Sequence, residues 1–156
     1  MMTTLHIHSP VGTLRLTETD GKLAGLHFAK GTPPDSDCKT TPLLAAAKTQ
    51  LEEYFAGTRK EFDLPLAPKG TPFQMRVWEA LRTIPYGTTW TYKQLAEAAD
   101  SPKGYRAAGL ANNRNPISII VPCHRVIGSN GALVGFGGGL DAKKILLDLE
   151  SGIQSI

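Results

Sequence analysis

The sequence predicts an α+β protein built from two small units. In the first third, short runs alternate apolar and polar residues and are separated by turn residues, which is typical of antiparallel strands. The second half carries apolar residues at helical spacing behind several helix-start signals. Between them, the stretch Leu64–Thr71 is rich in proline and glycine and predicts a linker. We therefore expect one domain over residues 1–70 and another over residues 71–156.

The first unit is predicted to begin with a three-stranded meander. Asp20 and Gly21 tolerate positive φ and mark the hairpin between the second and third strands. Gly31–Thr40 is predicted to be a loop, and Glu61–Leu66 is a candidate fourth strand. The three strands of the meander are expected at Leu5–His8, Thr13–Thr17 and Leu23–Ala29.

One helix completes the first unit. Thr41 is a favourable N-cap, and Pro42 suits the first helical turn, where its missing N–H is not needed. Apolar residues at helical spacing continue to Phe55, and Gly57 ends the helix.

The second unit opens with a predicted helix that starts at Thr71-Pro72 and ends at Pro85-Tyr86-Gly87. A pair of helices follows. Thr91–Gln94 has the form of a capping box for the first of them, and the second covers about Lys103–Asn113. Helix, short turn, helix is the layout of a DNA-binding helix-turn-helix.

The second helix of this pair has an unusual surface. Its sequence Arg106-Ala107-Ala108-Gly109 sets one long cation among small side chains. Small residues let a helix backbone come close to its neighbour. This composition fits either tight packing within a core or a smooth face that lies against DNA.

Cys123 and His124 are the candidate nucleophile and base. They follow the continuous apolar run Ile117–Val121, which predicts a buried extended segment. The thiolate is the reactive form of cysteine, and a nearby base raises its population. Because adjacent side chains on an extended chain point to opposite faces, His124 needs a bridging water or a backbone turn to reach the sulfur. A packing histidine beside a buried cysteine is the alternative.

A last helix is predicted from about Asp141. Leu140, Lys144, Leu147 and Glu150 recur every three or four residues, so that Glu150 ends an otherwise apolar stripe. Such a carboxylate is either solvated or the partner of a buried group. His124 would be its natural partner, as in a catalytic triad.

Composition and charge limit the function classes. No apolar run reaches the ~18 residues of a membrane span, and the first residues lack a signal-peptide pattern. The two cysteines, Cys38 and Cys123, do not form a disulfide framework. We therefore expect a cytoplasmic protein without a membrane partner. Residues 72–156 carry nine Lys and Arg against six Asp and Glu, a mild excess that suits a polyanion.

The motifs of the second unit together resemble the O6-alkylguanine-DNA alkyltransferases. The resemblance rests first on Pro122-Cys123-His124-Arg125-Val126 after Asn115-Pro116, and it covers most of residues 72–156. It implies a ribonuclease-H-like α/β N-terminal domain and a winged-helix-like C-terminal domain that carries the helix-turn-helix. The other matching motifs are Phe73-Gln74, Val77-Trp78, Ile84-Pro85-Tyr86-Gly87, Thr91-Tyr92, Arg106-Ala107-Ala108-Gly109 and Leu146-Leu147-Asp148-Leu149-Glu150.

The resemblance also implies catalytic roles. Cys123 would accept an alkyl group from O6-alkylguanine, or from O4-alkylthymine, in a single-turnover SN2 displacement that needs no cofactor. His124 would act as base through a water, with Glu150 orienting it. Tyr92 would hydrogen-bond the purine N3, and Asn115 would hold the turn that joins the helix pair to the site.

The implied partner is double-stranded DNA containing O6-alkylguanine, bound in its minor groove by a monomer. The alkyl carbon cannot be reached inside the base stack, so the nucleotide must rotate out, and Arg106 would fill the gap that it leaves. Backbone groups of Cys123, Val126 and Gly137 would read the base edge. The remaining residues expected to contact DNA are Ala107, Ala108, Gly109 and Arg125.

The sequence disfavours two other functions and a metal site. A non-catalytic sensor of alkylated bases is disfavoured because relatives of that kind carry tryptophan where this chain has Cys123. A transcription regulator is disfavoured because the second helix of the pair offers few polar side chains to base edges. No metal site is predicted, since His6, His8, His27 and Cys38 match no standard zinc spacing.

Overall fold

The computed structural model describes residues 2–29, 40–129 and 139–152. The chain divides into two compact units, Met1–Pro68 and Lys69–Ile156, and the break falls inside the predicted linker. In the part of the chain that the structure describes, no helix is long and apolar enough to cross a membrane.

The first unit contains an antiparallel sheet with the strand order β1-β2-β3. Leu5, Leu16 and Leu26 are register partners across the three strands, and all three are buried, so one face of the sheet is apolar. The turn at Asp20 has a φ of 51°, which is the left-handed conformation that the sequence predicted. The strands are β1 (Met2–Ile7), β2 (Leu14–Thr19) and β3 (Lys22–Phe28).

Helix α1 (Pro42–Phe55) belongs to the same unit. The Thr41 hydroxyl accepts a hydrogen bond from the Leu44 N–H at 3.1 Å, so the predicted cap is present. The candidate fourth strand is not a strand: Leu66 makes only an isolated bridge to Leu23.

The second unit is mostly helical, as expected. Helices α2 and α3 both begin with a complete capping box, in which Thr71 pairs with Gln74 and Thr91 pairs with Gln94. Two short strands pair in parallel, with Trp90 opposite Val126. The elements are α2 (Pro72–Leu81), β4 (Trp90–Thr91), α3 (Tyr92–Ala98), α4 (Tyr105–Asn113), a 3₁₀ turn (Cys123–Arg125), β5 (Val126–Ile127) and α5 (Leu140–Ser151).

Candidate active site

The segment before the nucleophile forms tight turns, so the prediction of an extended strand over Ile117–Val121 was wrong. The Ile120 N–H donates to the Ser118 carbonyl at 2.8 Å across Ile119, whose φ is 73°. This is a γ-turn in a conformation that β-branched residues rarely adopt. The whole run is nevertheless buried. A run of apolar residues indicates burial, but it does not determine the backbone conformation.

A second tight turn immediately precedes Cys123. The Cys123 N–H donates to the Val121 carbonyl at 2.8 Å, and Pro122 between them has a φ of −81° and a ψ of 64°. These angles define a γ-turn of the common inverse type. Cys123 itself begins the 3₁₀ turn. The backbone therefore turns at the point where His124 was expected to need a turn or a bridging water to reach the sulfur.

Asn115 ties this irregular segment together. Its Nδ2 donates to the Val121 carbonyl at 2.7 Å, and its Oδ1 accepts from the Ile117 N–H at 3.0 Å. One side chain thus supplies the hydrogen bonds that a regular strand would obtain from its neighbours. Loss of Asn115 would leave the buried Ile117 N–H without its partner, whereas the Val121 carbonyl would keep the bond from the Cys123 N–H.

The Cys123 thiol is free and only 4% exposed. Burial raises the pKa of Cys123, because it disfavours the thiolate. Hydrogen bonds from the side chains of Asn115 and Ser118, and the positive charge of Lys143, act in the opposite direction. The net effect favours a protonated thiol at rest, so a base is needed to make it a nucleophile.

His124 and Glu150 form a buried pair. His124 Nε2 lies 2.7 Å from Glu150 Oε2. Burial alone would raise the pKa of Glu150, but hydrogen bonds from His124 and Arg125 override it and hold the pKa at about 2. Burial also lowers the pKa of His124, so that the ring is neutral near pH 7. An ionised carboxylate can only accept, so Nε2 carries the ring proton and Nδ1 carries the lone pair.

Arg125 supports the same carboxylate, which corrects its predicted place among the DNA-contacting residues. Its Nε donates to Glu150 Oε1 at 2.7 Å and its Nη2 to Oε2 at 2.9 Å, a bidentate pair. Its Nη1 donates to the Ile84 carbonyl at 2.7 Å. The guanidinium also lies 5.7 Å from the centre of the Tyr86 ring. The side chain is buried within the unit, where it compensates the charge of Glu150.

Lys143 belongs to the site and was missed in the sequence. Its side chain is fully buried, and Nζ donates to the Val126 carbonyl at 2.6 Å. The buried face of α5 consists of Ala142, Lys143, Leu146 and Glu150, so the predicted stripe through Leu140 and Lys144 was wrong. Counting back four and seven residues from Glu150 would have given Leu146 and Lys143, which is the spacing of one helical face.

Tyr92 begins helix α3 and packs on helix α4. A Cβ atom at Gly109 would lie 3.2 Å from the Tyr92 ring, so the glycine makes room for the tyrosine. Burial raises the pKa of Tyr92, and the nearby Cys123 adds to the effect. The phenol therefore keeps its proton and remains a hydrogen-bond donor at neutral pH.

Helix α4 has one buried face and one exposed face. Trp78 Nε1 donates to the Ala111 carbonyl at 2.8 Å, and Ala108 is fully buried, so one face is tightly packed. Arg106 and Ala107 are exposed on the opposite side. The Arg106 guanidinium lies 6.0 Å from the centre of the exposed Tyr105 ring.

Asn112 also lies on the packed face of α4 and was missed. Its Nδ2 donates to the Cys123 carbonyl at 3.4 Å. The Val126 N–H donates to the Cys123 carbonyl, whereas Gly137 and Cys38 lie outside the described residues. Within those residues no group of three or more potential metal ligands occurs.

Both halves of the chain match known sequence families. The 6-O-methylguanine DNA methyltransferase ribonuclease-like domain matches residues 2–68, and the DNA binding domain of the same protein matches residues 72–152. The methylated-DNA–protein-cysteine methyltransferase of Methanosarcina acetivorans is 52% identical over 146 residues, which are 91% of this chain and 94% of the relative. The constitutive Bacillus subtilis protein of that name is 48% identical over 150 residues, which are 91% of each chain.

Solved structures agree with these matches. Mycobacterium tuberculosis O6-methylguanine methyltransferase has a TM-score of 0.88 at 44% identity, over 99% of this chain and 96% of that one. Mycobacterium tuberculosis OGT in complex with DNA has a TM-score of 0.84 at 47% identity, over 94% and 91% of the two chains.

The fold and the site define a class of protein in which a helix-turn-helix domain carries a buried cysteine nucleophile backed by an imidazole and a carboxylate. The chain belongs to the 6-O-methylguanine DNA methyltransferase family. The family resemblance and the α+β fold class, with a ribonuclease-like N-terminal domain and a DNA-binding C-terminal domain, are thereby confirmed.

Proposed function

We propose that this chain repairs DNA by direct reversal, moving an alkyl group from O6-alkylguanine to Cys123. The observation that carries the proposal is the buried Cys123 thiol with His124, held by Glu150, as its chain neighbour. The names of the relatives, methylated-DNA–protein-cysteine methyltransferases, support the same reaction. The domain of residues 71–156 performs it, and O4-alkylthymine is a second substrate.

The reaction begins with the thiol proton. His124 accepts it through a water at Nδ1, and Glu150 stabilises the resulting imidazolium. The Cys123 thiolate attacks the alkyl carbon, the carbon–oxygen bond breaks, and its electron pair returns to O6 of the base. Tyr92 hydrogen-bonds N3 and passes its proton to the base as the carbon–oxygen bond breaks, so that the base leaves as neutral guanine. The tyrosinate is then reprotonated as the His124 imidazolium releases the proton that it took from Cys123.

The substrate reaches the site from duplex DNA. The alkyl carbon is inaccessible within the stack, so the nucleotide must be rotated out, and a damaged pair costs less to open. Arg106 occupies the space left behind, and Ala107 with the exposed side of α4 lies against the minor groove. Backbone groups of Cys123 and Val126 contact the base edge. The protein acts in the cytoplasm as a monomer.

Turnover stops after one reaction. The product is a thioether, and its alkyl group has no easy way to leave in water. The protein is therefore a stoichiometric reagent, and the damaged DNA itself supplies the transferred group, so that no cofactor is required.

Intact-protein mass spectrometry tests the proposal. The wild type is mixed with a duplex oligonucleotide that contains O6-methylguanine. We expect a gain of one methyl group, located on Cys123 by peptide mapping, and no gain for Cys123→Ser. If the wild type gains no mass but binds the damaged duplex tightly, the non-catalytic sensor replaces this proposal.

A further inference from the structure

We propose that Asn112 is a positioning residue that, together with His124, holds the water through which Cys123 loses its proton. The inference deepens the proposed function and rests on it. It concerns a residue of helix α4 whose side chain touches the backbone of the nucleophile.

The ring of His124 presents one buried acceptor, at Nδ1. Its Nε2 proton is committed to Glu150 at 2.7 Å, so Nδ1 is an acceptor. The residue is 0% exposed, and Nδ1 has no hydrogen-bond partner in the part of the chain that the structure describes. A buried acceptor without a partner costs free energy, and a bound water is a donor that would satisfy it.

The amide of Asn112 presents a second buried acceptor, at Oδ1. The Cys123 carbonyl can only accept, so it fixes which end of the amide faces it: Nδ2 donates and Oδ1 points away. The residue is 1% exposed, and Oδ1 is also without a partner among the described residues. If the amide were flipped, Oδ1 of Asn112 would face the carbonyl oxygen of Cys123, and two acceptors would oppose each other.

Both acceptors belong to side chains next to Cys123. His124 follows Cys123 in the chain, and the Asn112 amide donates to the Cys123 carbonyl. Water is the smallest molecule that can donate to two acceptors at once. With both hydrogens directed to Nδ1 and Oδ1, its lone pairs are free to accept the Cys123 proton.

The proton transfer balances without any further reagent. The S–H bond of Cys123 breaks and a proton joins the water oxygen, while a water hydrogen passes to Nδ1 of His124. The water is regenerated, and the products are a thiolate and an imidazolium. Asn112 gains and loses no proton in this sequence. It acts by fixing the direction of the water lone pair.

The test measures the rate at which iodoacetamide alkylates Cys123 between pH 5 and pH 9, because this reaction reports thiolate formation without any recognition of a base. Asn112→Leu removes the acceptor at similar volume, and Asn112→Thr restores an oxygen. Asn113→Leu is the matched control, since Asn113 is exposed on the same helix.

We expect Asn112→Leu to react roughly tenfold more slowly at pH 7, the effect of losing about one hydrogen bond, with its profile shifted to higher pH. Asn112→Thr should recover most of the rate, and Asn113→Leu should match the wild type. If Asn112→Leu fails to fold, Asn112→Ala is expected to show the same loss. An unchanged pH profile in the folded variant that lacks the acceptor overturns the inference.

A role limited to holding the Cys123 carbonyl would give a different pattern. Repair of duplex DNA would fall while the iodoacetamide profile stayed the same, and that result also overturns the inference. Failure of the proposed function is separate, because it would appear as no methyl gain by the wild type.

Discussion

Lys143 Nζ lies 2.6 Å from the carbonyl oxygen of Val126, and its side chain has no exposure to solvent. A buried ammonium is costly unless its hydrogen bonds and charge are matched. The Val126 carbonyl satisfies part of this demand, and a Cys123 thiolate would offer the opposite charge. The site thus contains a positive charge that stabilises its nucleophile.

Lys143→Met should make Cys123 less reactive. Loss of the positive charge removes one of the influences that lower the pKa of the thiol, so less thiolate is present at neutral pH. We expect the iodoacetamide rate at pH 7 to fall about tenfold, the effect of about one pKa unit. Lys144→Met is the control, because Lys144 is exposed and pairs with Asp148 on the surface. Equal rates for the two variants would contradict the charge argument.

Glu150→Gln should destabilise the fold as well as the reaction. The carboxylate is the partner of two buried groups, and its removal leaves the Arg125 guanidinium uncompensated. We expect a loss of about 3 kcal/mol or more in the free energy of unfolding, measured by urea denaturation. Glu79→Gln breaks only an exposed pair with Arg82 and should cost less than about 1 kcal/mol. A loss of that small size at Glu150 would show that the pair contributes little.

The stability of the protein should fall in acid in two stages. The folded pKa of His124 lies below its ordinary value of 6.5, so the unfolded chain takes up this proton first, and stability declines as the pH falls below 6.5. The pKa of Glu150 is about 2 in the folded state against an ordinary 4.5. Its contribution of about 3 kcal/mol is complete above pH 4.5 and is lost as the pH falls from there towards 2. Urea denaturation at a series of pH values measures both stages. Constant stability from pH 6.5 to pH 4.5 would refute the first, and constant stability from pH 4.5 to pH 2 would refute the second.

Arg106→Ala should slow the reaction with duplex DNA without slowing the alkyl transfer step itself. The side chain is exposed on α4, and its guanidinium lies near the Tyr105 ring. We expect methyl transfer from a duplex oligonucleotide to slow by roughly tenfold or more, by loss of about 1–3 kcal/mol of DNA contact, while reaction with free O6-benzylguanine is unchanged. Arg82→Ala, at the end of α2, is the control for the loss of a surface charge. Equal losses on duplex and free base would remove the proposed role.

The helix starts could be predicted because they depend on neighbouring residues. Thr71 with Gln74 and Thr91 with Gln94 each satisfy two backbone groups within one turn, and no distant contact is needed to read them. The partnership of Glu150 with His124 was also foreseen, since an acid on an apolar helix face needs a partner.

Other features depend on contacts that are distant in sequence. The turn around Ile119 is maintained by Asn115 and by burial, against the local preference of a β-branched residue. Lys143 was overlooked because the apolar stripe was drawn through the adjacent Lys144, although Lys143 shares the helical face of Glu150. Arg125 was expected to contact DNA, whereas its side chain pairs with Glu150, which lies 25 residues away in the sequence.

The hydrogen bond of Trp78 to helix α4 has a spectroscopic consequence. The chain has two tryptophans, Trp78 and Trp90, and both lie in the second unit. Trp90 is the strand partner of Val126, three residues beyond the nucleophile, and the Trp78 indole is bonded to the same helix that carries Asn112. Tryptophan fluorescence, excited selectively so that Tyr54 does not contribute, will therefore follow the alkyl-acceptor half without any label. The unfolding of residues 1–68 will be silent in that signal and must be followed by circular dichroism of the sheet.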